Sequence, residues 1–185
     1  MKITPTALAE VLVVEPRVFA DDRGFFLETF SAQRYADAGI PTTFAQDNLS
    51  RSVRGTLRGL HFQQPNAQGK LVQVVRGTVF DVVVDIRRGS PTFGRWVGVE
   101  LDGDVPKQMW VPAGFAHGFC VTSETADFWY KCTTPYSPAD ERCVRWDEPE
   151  LGIEWPVTRP LLSKKDASAP ALAELLPLLP TYDAG

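Results

Sequence analysis

Short strand signals recur from one end of the chain to the other, and they constrain the fold more than any other feature. Alternating apolar and polar residues, rich in Val, Phe, Thr and Trp, are separated by turn sequences such as Asp21-Asp-Arg-Gly24 and Arg88-Gly-Ser-Pro91. Many short, closely spaced strands are typical of an all-β sandwich or barrel, and here they favour a jelly roll. The predicted strands are Glu10–Val14, Phe25–Phe30, Phe44–Ser50, Leu57–Gln63, Leu71–Arg76, Thr78–Ile86, Trp96–Leu101, Lys107–Val111, Phe115–Val121, Ala126–Cys132 and Arg142–Trp146.

Helical signals are few. Ser31 can cap a short helix that runs to Ala38, and a second short helix fits residues 171–178, directly after Pro170. No repeat or linker divides the chain. We therefore expect one domain over residues 1–185, with an irregular tail from about residue 155 to residue 185.

Composition and charge limit the classes of partner. With 185 residues, 44% of them hydrophobic, the chain can bury a substantial core. Its formal net charge of −4 argues against a nucleic-acid-binding surface. The N-terminal sequence lacks the apolar core of a signal peptide, and no apolar run is long enough to span a membrane. We expect a cytoplasmic protein that binds neither nucleic acid nor membrane.

The three cysteines do not form a recognisable framework. Cys120, Cys132 and Cys143 are odd in number and lack the spacing of metal ligands. They are expected to be buried free thiols, without a disulfide or a zinc site.

The candidate chemistry lies on consecutive predicted strands. His61 and His117, the only histidines, occupy apolar strand-like runs, while Lys70 and Tyr130 belong to the strands that follow them. Imidazole, ammonium and phenol groups can remove a proton from carbon, stabilise the resulting oxyanion and return a proton elsewhere. A single histidine is more often a satisfied polar group at the end of a sheet. Four such groups, beside Arg58, favour a catalytic site.

Strand parity makes one structural demand on this site. His117 and Tyr130 each share a strand face with apolar residues, as expected for the interior of a small barrel. Arg58 and His61 are three positions apart, so on a regular strand they would point to opposite faces. If both serve one site, a bulge at Gly59 is expected.

Ordered motifs along nearly the whole chain resemble the dTDP-4-dehydrorhamnose 3,5-epimerase family. The resemblance implies a cupin-type jelly roll that acts as a homodimer, with a dTDP-4-keto-6-deoxyhexose as substrate and without a cofactor or metal. The motifs that carry it include Asp22-Arg-Gly-Phe-Phe-Leu-Glu28, Gln46-Asp-Asn48, Leu57-Arg-Gly-Leu-His61, Lys70-Leu-Val-Gln, Pro112-Ala-Gly-Phe-Ala-His117-Gly-Phe, Tyr130-Lys-Cys-Thr, Tyr136-Ser-Pro and Leu151-Gly-Ile-Glu-Trp-Pro156.

The resemblance also implies roles for individual residues. His61 is implied as the proton acceptor, Tyr130 as the proton donor and Asp166 as the partner that orients His61. Lys70 is expected beside the ketone oxygen of the sugar. The residues implied to bind the nucleotide sugar are Arg23, Glu28, Gln46, Asp47, Asn48, Arg58, His117, Glu141 and Lys165.

Three alternatives remain open from the sequence. An epimerase that inverts only C3 or only C5 would share these residues, and Phe128-Trp129 is bulkier than the Val-Leu pair usual before the tyrosine of the family. A metal-dependent cupin would need a His-x-His pair, whereas this chain has His61-Phe62-Gln63. A sugar-binding module without catalysis would not require His61, Lys70 and Tyr130 together.

Overall fold

Two antiparallel sheets pack face to face in the computed structural model, which describes residues 1–183. One sheet has the strand order β1-β2-β10-β7-β12-β5, the other has the order β13-β6-β11-β8-β9, and β3 pairs with β4 in a separate hairpin. The strands are β1 (Lys2–Pro5), β2 (Leu12–Glu15), β3 (Val18–Asp21), β4 (Gly24–Leu27), β5 (Gln46–Val53), β6 (Leu57–Gln63), β7 (Lys70–Arg76), β8 (Thr78–Asp85), β9 (Trp96–Asp102), β10 (Gln108–Val111), β11 (Phe115–Val121), β12 (Thr125–Cys132) and β13 (Glu141–Cys143).

The helices are short and lie outside the sheets. They are α1 (Ala32–Ala36), α2 (Lys164–Ala167) and α3 (Leu172–Leu175), followed by a 3₁₀ turn over Leu176–Leu178. Within residues 1–183, no helix is both long and apolar enough to cross a bilayer. The all-β jelly-roll prediction with few short helices is confirmed.

One apolar core fills the space between the two sheets. It includes Val72 and Phe128 from the six-stranded sheet and Val83, Phe115 and Phe119 from the five-stranded sheet. The alternation of inward and outward side chains along each strand supplies this core, because successive residues point to opposite faces.

A second core covers the outer face of the five-stranded sheet. Leu60 and Val82 of that sheet pack against Leu172, Leu175 and Leu179 near the C-terminus. The predicted irregular tail therefore packs against the sheet through these three leucines, and residues 184–185 lie outside the described part of the chain.

The sequence predictions located most strands but missed several short elements. Strands β6 and β11 have the predicted bounds, whereas β1, β3 and α2 were not predicted. The predicted strand Phe25–Phe30 ends at Leu27, where its pairing with β3 stops. The second predicted helix divides into α3 and a 3₁₀ turn, because Pro177 cannot donate a backbone hydrogen bond to continue an α-helix.

Candidate active site

A cavity of about 200 Å³ opens between the two sheets at one end of the sandwich. Six of the residues predicted from the sequence line it, together with four that were not predicted. The predicted residues are Gln46, Asn48, His61, Lys70, Tyr130 and Glu141, and the others are Phe62, Gln63, Gln68 and Tyr136.

The two sheets bring the reactive groups to this cavity from opposite sides. His61 lies on β6 of the five-stranded sheet, whereas Lys70 on β7 and Tyr130 on β12 belong to the six-stranded sheet. Strands β7 and β12 are neighbours, and Tyr130 pairs with Val72, two residues beyond Lys70. A ligand in the cavity would therefore lie between the imidazole on one side and the ammonium and phenol on the other.

A bulge in β6 brings Arg58 to the same face as His61. His61 pairs with His117 on β11 and Arg58 pairs with Phe119, so the four residues 58–61 of β6 lie opposite the three residues 117–119 of β11. Directly paired residues share a sheet face, and the bulge therefore restores the alignment that a regular strand would lose. The expected bulge at Gly59 is confirmed: this glycine has φ +129° and packs against the backbone of Gly118.

His61 forms a pair with a carboxylate from the C-terminal segment. Its Nε2 lies 2.6 Å from Oδ1 of Asp166, which is only 3% exposed. Helix α2 holds this carboxylate in place, because the Ser163 hydroxyl accepts from the Asp166 backbone N–H and donates to Oδ2 at 2.8 Å. The carboxylate fixes the orientation of the imidazole ring.

The electrostatics keep this pair in the form that a base requires. Burial lowers the pKa of His61, with Lys165 and Lys70 acting in the same direction, and the attraction of Asp166 opposes this only partly. Burial would raise the pKa of Asp166, but the hydrogen bonds from His61 and Ser163 hold it below its usual range. At neutral pH the pair therefore consists of a neutral imidazole and a carboxylate.

Lys70 and Tyr130 have environments suited to stabilising and delivering charge. Burial lowers the pKa of the Lys70 ammonium, while Cys132, Asp81 and Glu141 favour its charged form. Burial raises the pKa of the Tyr130 phenol, and Arg58 acts in the opposite direction. The phenol is consequently protonated at neutral pH and can act as an acid.

His117 lies in the core behind the cavity rather than on its wall. Its Nε2 lies 2.9 Å from Oδ1 and 3.0 Å from Oδ2 of the fully buried Asp81, and its ring stacks on Phe128. Phe128 in turn contacts the ring of Tyr130, with centroids 5.9 Å apart. His117 and Asp81 thus support the wall that holds the phenol.

A chain of polar contacts forms the rim of the cavity. Glu141 accepts from Nζ of Lys165 at 2.6 Å and from the Tyr136 hydroxyl at 3.0 Å. The loop that carries Tyr136 is held at its backbone N–H by Oε1 of Gln46 and, one residue later, by Oε1 of Gln63. Lys165 therefore reaches the site through Glu141.

Besides His117 and Lys165, four predicted binding residues do not line the cavity. Arg23 and Glu28 belong to the β3–β4 hairpin and the segment after it, where they pair with Asp21 and Arg34. The other two predicted residues are Asp47 and Arg58. Asp47 faces outward on β5 and pairs with Lys131. Arg58 donates a hydrogen bond to the Ser52 hydroxyl at 3.1 Å.

Some contributions to the site were not anticipated. Gln68 and Tyr136 line the cavity without a predicted role, although Tyr136 lies in one of the family motifs. Helix α2 could have been found from Ser163-Lys-Lys-Asp166, a capping pattern. The sequence predicts a buried free thiol without a zinc site at Cys143. Its Sγ lies 3.7 Å from Asp166 Oδ1, and His61, Cys143 and Asp166 together offer a possible set of metal ligands.

Comparison with known proteins gives one consistent family. The family model described as dTDP-4-dehydrorhamnose 3,5-epimerase matches residues 5–174. The dTDP-4-dehydrorhamnose 3,5-epimerase of Pseudomonas aeruginosa is 56% identical over 94% of this chain and 97% of its own. The dTDP-4-dehydrorhamnose 3-epimerase of Streptomyces niveus is 46% identical over 98% of this chain and 90% of its own.

A solved structure shows the same architecture. The dTDP-6-deoxy-D-glucose-3,5-epimerase of Legionella pneumophila, in complex with dTDP-4-keto-L-rhamnose, superposes with a TM-score of 0.96 at 52% identity, and each chain is covered over 99% of its length. The matched family model spans most of the chain, and the reactive groups predicted from its motifs converge on one cavity. The chain belongs to the dTDP-4-dehydrorhamnose 3,5-epimerase family.

Proposed function

We propose that this protein converts dTDP-4-dehydro-6-deoxy-D-glucose into dTDP-4-dehydro-L-rhamnose by inverting C3 and C5. The observation that carries the proposal is the position of the candidate base and the candidate acid on opposite sheets, facing one cavity. Inversion requires a proton to leave from one face of the sugar ring and another to arrive on the opposite face. The sandwich supplies one group on each side.

The ketone at C4 allows a histidine base to remove a proton from the neighbouring carbons. It acidifies the C–H bonds at C3 and C5, because the carbanion that forms on either carbon delocalises onto the ketone oxygen. His61, held neutral and oriented by Asp166, removes the proton. A positioned base of this kind typically contributes about 10²–10⁴-fold to the rate, so further stabilisation is needed.

Lys70 and Tyr130 supply the remaining steps. The Lys70 ammonium stabilises the negative charge that develops on the enolate oxygen, and its partly buried position strengthens that interaction. Tyr130 then donates its phenolic proton to carbon from the face opposite His61 and recovers a proton from solvent. No cofactor or metal takes part in these steps.

Inversion at both carbons is the better supported specificity. The relative with 56% identity is a 3,5-epimerase. Inversion at C3 alone is the second candidate, because the 46% identical relative from Streptomyces niveus is a 3-epimerase with the same near-complete coverage. Both activities would use the same base, acid and oxyanion group.

The exposed hairpin supports a homodimer as the active form. Phe26 on β4 is 70% exposed, and Phe19 on β3 and Phe25 on β4 are also largely exposed. An isolated two-stranded hairpin is marginally stable in water, and clustered exposed apolar side chains mark interaction surfaces. A second copy that covers this hairpin would bury these side chains.

A dimer also explains the positions of Arg23 and Glu28. Both lie on or next to the β3–β4 hairpin and outside the cavity of their own chain. If the hairpin reaches the second copy, these residues would contribute to the nucleotide site of that copy. The arginine would then bind diphosphate oxygens through its fork of N–H donors.

The thiols support a reducing compartment. Cys120, Cys132 and Cys143 are all free and buried. A cytoplasmic location would keep them reduced.

Deuterium incorporation tests the proposed reaction. The protein would be incubated with dTDP-4-keto-6-deoxyglucose in deuterated water, and the deuterium at C3 and C5 would be counted by NMR. Double epimerisation predicts deuterium and inverted configuration at both carbons. Label at one carbon would identify a single epimerase, and the absence of label at both carbons would contradict the proposal.

A further inference from the structure

Cys143 lies beside the proposed base on the neighbouring strand, and the epimerisation steps do not use it. It pairs with His61 across β13 and β6, and its Sγ is 3.7 Å from Asp166 Oδ1. Burial and the neighbouring Asp166 raise the pKa of this thiol to about 12. A thiol in that state is a poor nucleophile, so its position requires another explanation than covalent catalysis.

Three different donor atoms meet at this point. One ligand atom each from His61, Cys143 and Asp166 lies within 4.8 Å of the other two. Zinc binds nitrogen at about 2.0–2.1 Å and sulfur at about 2.3 Å, so tetrahedral ligands are separated by about 3.3–3.8 Å. The Cys143–Asp166 separation of 3.7 Å already fits. The 2.6 Å contact between His61 and Asp166 would have to open by about 0.7 Å to admit the ion.

The type of donors selects the type of cation. A sulfur ligand favours zinc or cadmium over magnesium and calcium, which prefer sets of oxygen ligands. Three protein ligands leave a fourth position for water, as in exchangeable zinc sites rather than closed structural ones. The side chain of His61 is 25% exposed, whereas Cys143 and Asp166 are only 7% and 3% exposed, so an ion would enter from the cavity past the imidazole.

We propose that His61, Cys143 and Asp166 form an inhibitory site for a thiophilic divalent cation such as zinc. On binding, the Cys143 thiol releases its proton to solvent, and the sulfur and a carboxylate oxygen of Asp166 coordinate the ion. The proton that the neutral imidazole donates to Asp166 moves, through solvent, from Nε2 to Nδ1 of the same ring, so that Nε2 can take the third position. No electron is transferred. The ion replaces the hydrogen bond between His61 and Asp166 and removes the imidazole from catalysis, so the regulation rests on the proposed role of His61 as the base.

Two cysteine variants separate this site from other effects of zinc. Cys120 provides the matched control, since it is also a buried free thiol but does not line the cavity. Zinc should inhibit the wild type and Cys120→Ser equally, whereas magnesium should not, and a chelator should restore activity. Cys143→Ser retains a hydroxyl next to Asp166 but loses the soft ligand, so the zinc concentration for half inhibition should rise by about tenfold or more. Equal zinc sensitivity of Cys143→Ser and the wild type would refute the site.

Metal binding can also be measured without turnover, which keeps the proposal distinct from the proposed reaction. Cobalt added to the wild-type protein should produce a cobalt–thiolate charge-transfer band that Cys143→Ser lacks. If that variant does not fold, X-ray absorption at the zinc edge of the wild type decides the matter. One sulfur ligand with nitrogen and oxygen ligands is expected, and a shell without sulfur, or no binding at all, would overturn the proposal even if the enzyme epimerises its substrate.

Discussion

Gly59 shows how a single residue sets the geometry of the site. A Cβ at this position would lie 2.5 Å from Cα of Gly118 and 2.9 Å from the carbonyl oxygen of His117. Its φ of +129° is also a conformation that other residues rarely adopt. The bulge that aligns Arg58 with His61 therefore requires glycine here and a close approach to β11.

Replacing Gly59 with alanine should impair both stability and catalysis. We expect the free energy of unfolding to fall by about 1–3 kcal/mol, because the backbone of β6 must move away from β11. The displacement of His61 should lower kcat/KM by about 10–100-fold. Steady-state kinetics and denaturant unfolding measure the two effects.

A matched control comes from Gly39, which has φ +76° but no other group within 4 Å of the position that a Cβ would take. Gly39→Ala should lose some stability through its backbone conformation while retaining kcat/KM. Wild-type kinetics for Gly59→Ala would show that the bulge does not position the base.

Sequence reasoning at this scale located the candidate reactive groups but not all their partners. His61, Lys70 and Tyr130 stood out because polar groups in apolar strands need an explanation, and all three line the cavity. The three-residue spacing of Arg58 and His61, with Gly59 between them, predicted the bulge. The alternation of side chains along a strand also predicts that Asp47 points outward, because its neighbours Gln46 and Asn48 on β5 point to the opposite face.

At the scale of elements, helix α2 adjusts the pKa of the proposed base, which burial lowers most strongly. It carries both Asp166, which raises the pKa of His61, and Lys165, which lowers it. The two residues are adjacent and act on the imidazole with opposite sign. The helix was missed from the sequence because it has only four residues, too few for a periodic pattern, and its stability comes from packing and from the Ser163 cap.

The pH dependence of catalysis should respond to these two residues in opposite directions. The proposed mechanism requires neutral His61, so kcat/KM should fall as the pH drops through the pKa of His61, which burial holds below its ordinary value. Asp166→Asn removes the charge that raises this pKa, so the acid limb should move to lower pH while the maximal rate falls. Lys165→Gln should move the acid limb to higher pH.

The neighbouring Lys164 provides the control, since it is exposed and absent from the contacts of His61. Lys164→Gln should leave the acid limb unchanged. An acid limb that shifts in the same direction in the Asp166 and Lys165 variants would contradict the assignment of the limb to His61.

At the scale of the whole molecule, the sandwich places the proposed base and the proposed acid on different sheets. The five-stranded sheet carries His61 and the six-stranded sheet carries Lys70 and Tyr130. The strand pattern predicted the sandwich, since alternation fixes which faces are buried. The strand pattern could not predict which strands pair. Strand β7 pairs with β12, and the residues that face each other are more than forty positions apart along the chain.

The proposed dimer leads to a test with mixed subunits. Arg23→Ala and His61→Asn should each be nearly inactive as homodimers. If Arg23 acts on the site of the second copy, unfolding and refolding the two variants together should recover about a quarter of wild-type activity, because about half of randomly paired dimers are hybrids with one complete site.

Recovery is measured against each variant refolded alone, and light scattering gives the mass of the species formed. If Arg23 serves its own cavity, no hybrid contains a complete site and no activity returns. A monomer at assay concentrations would likewise contradict the shared site.

The central claim, that protons leave and arrive from opposite sheets, is tested most directly by comparing exchange with inversion in two variants. In deuterated water, His61→Asn should lose both deuterium exchange and inversion at C3 and C5. Tyr130→Phe should retain exchange, because His61 can remove a proton and return a deuteron to the same face, but it should invert configuration poorly. NMR of deuterium content and product configuration in the same samples would show this. Normal inversion at both carbons by Tyr130→Phe would contradict the account.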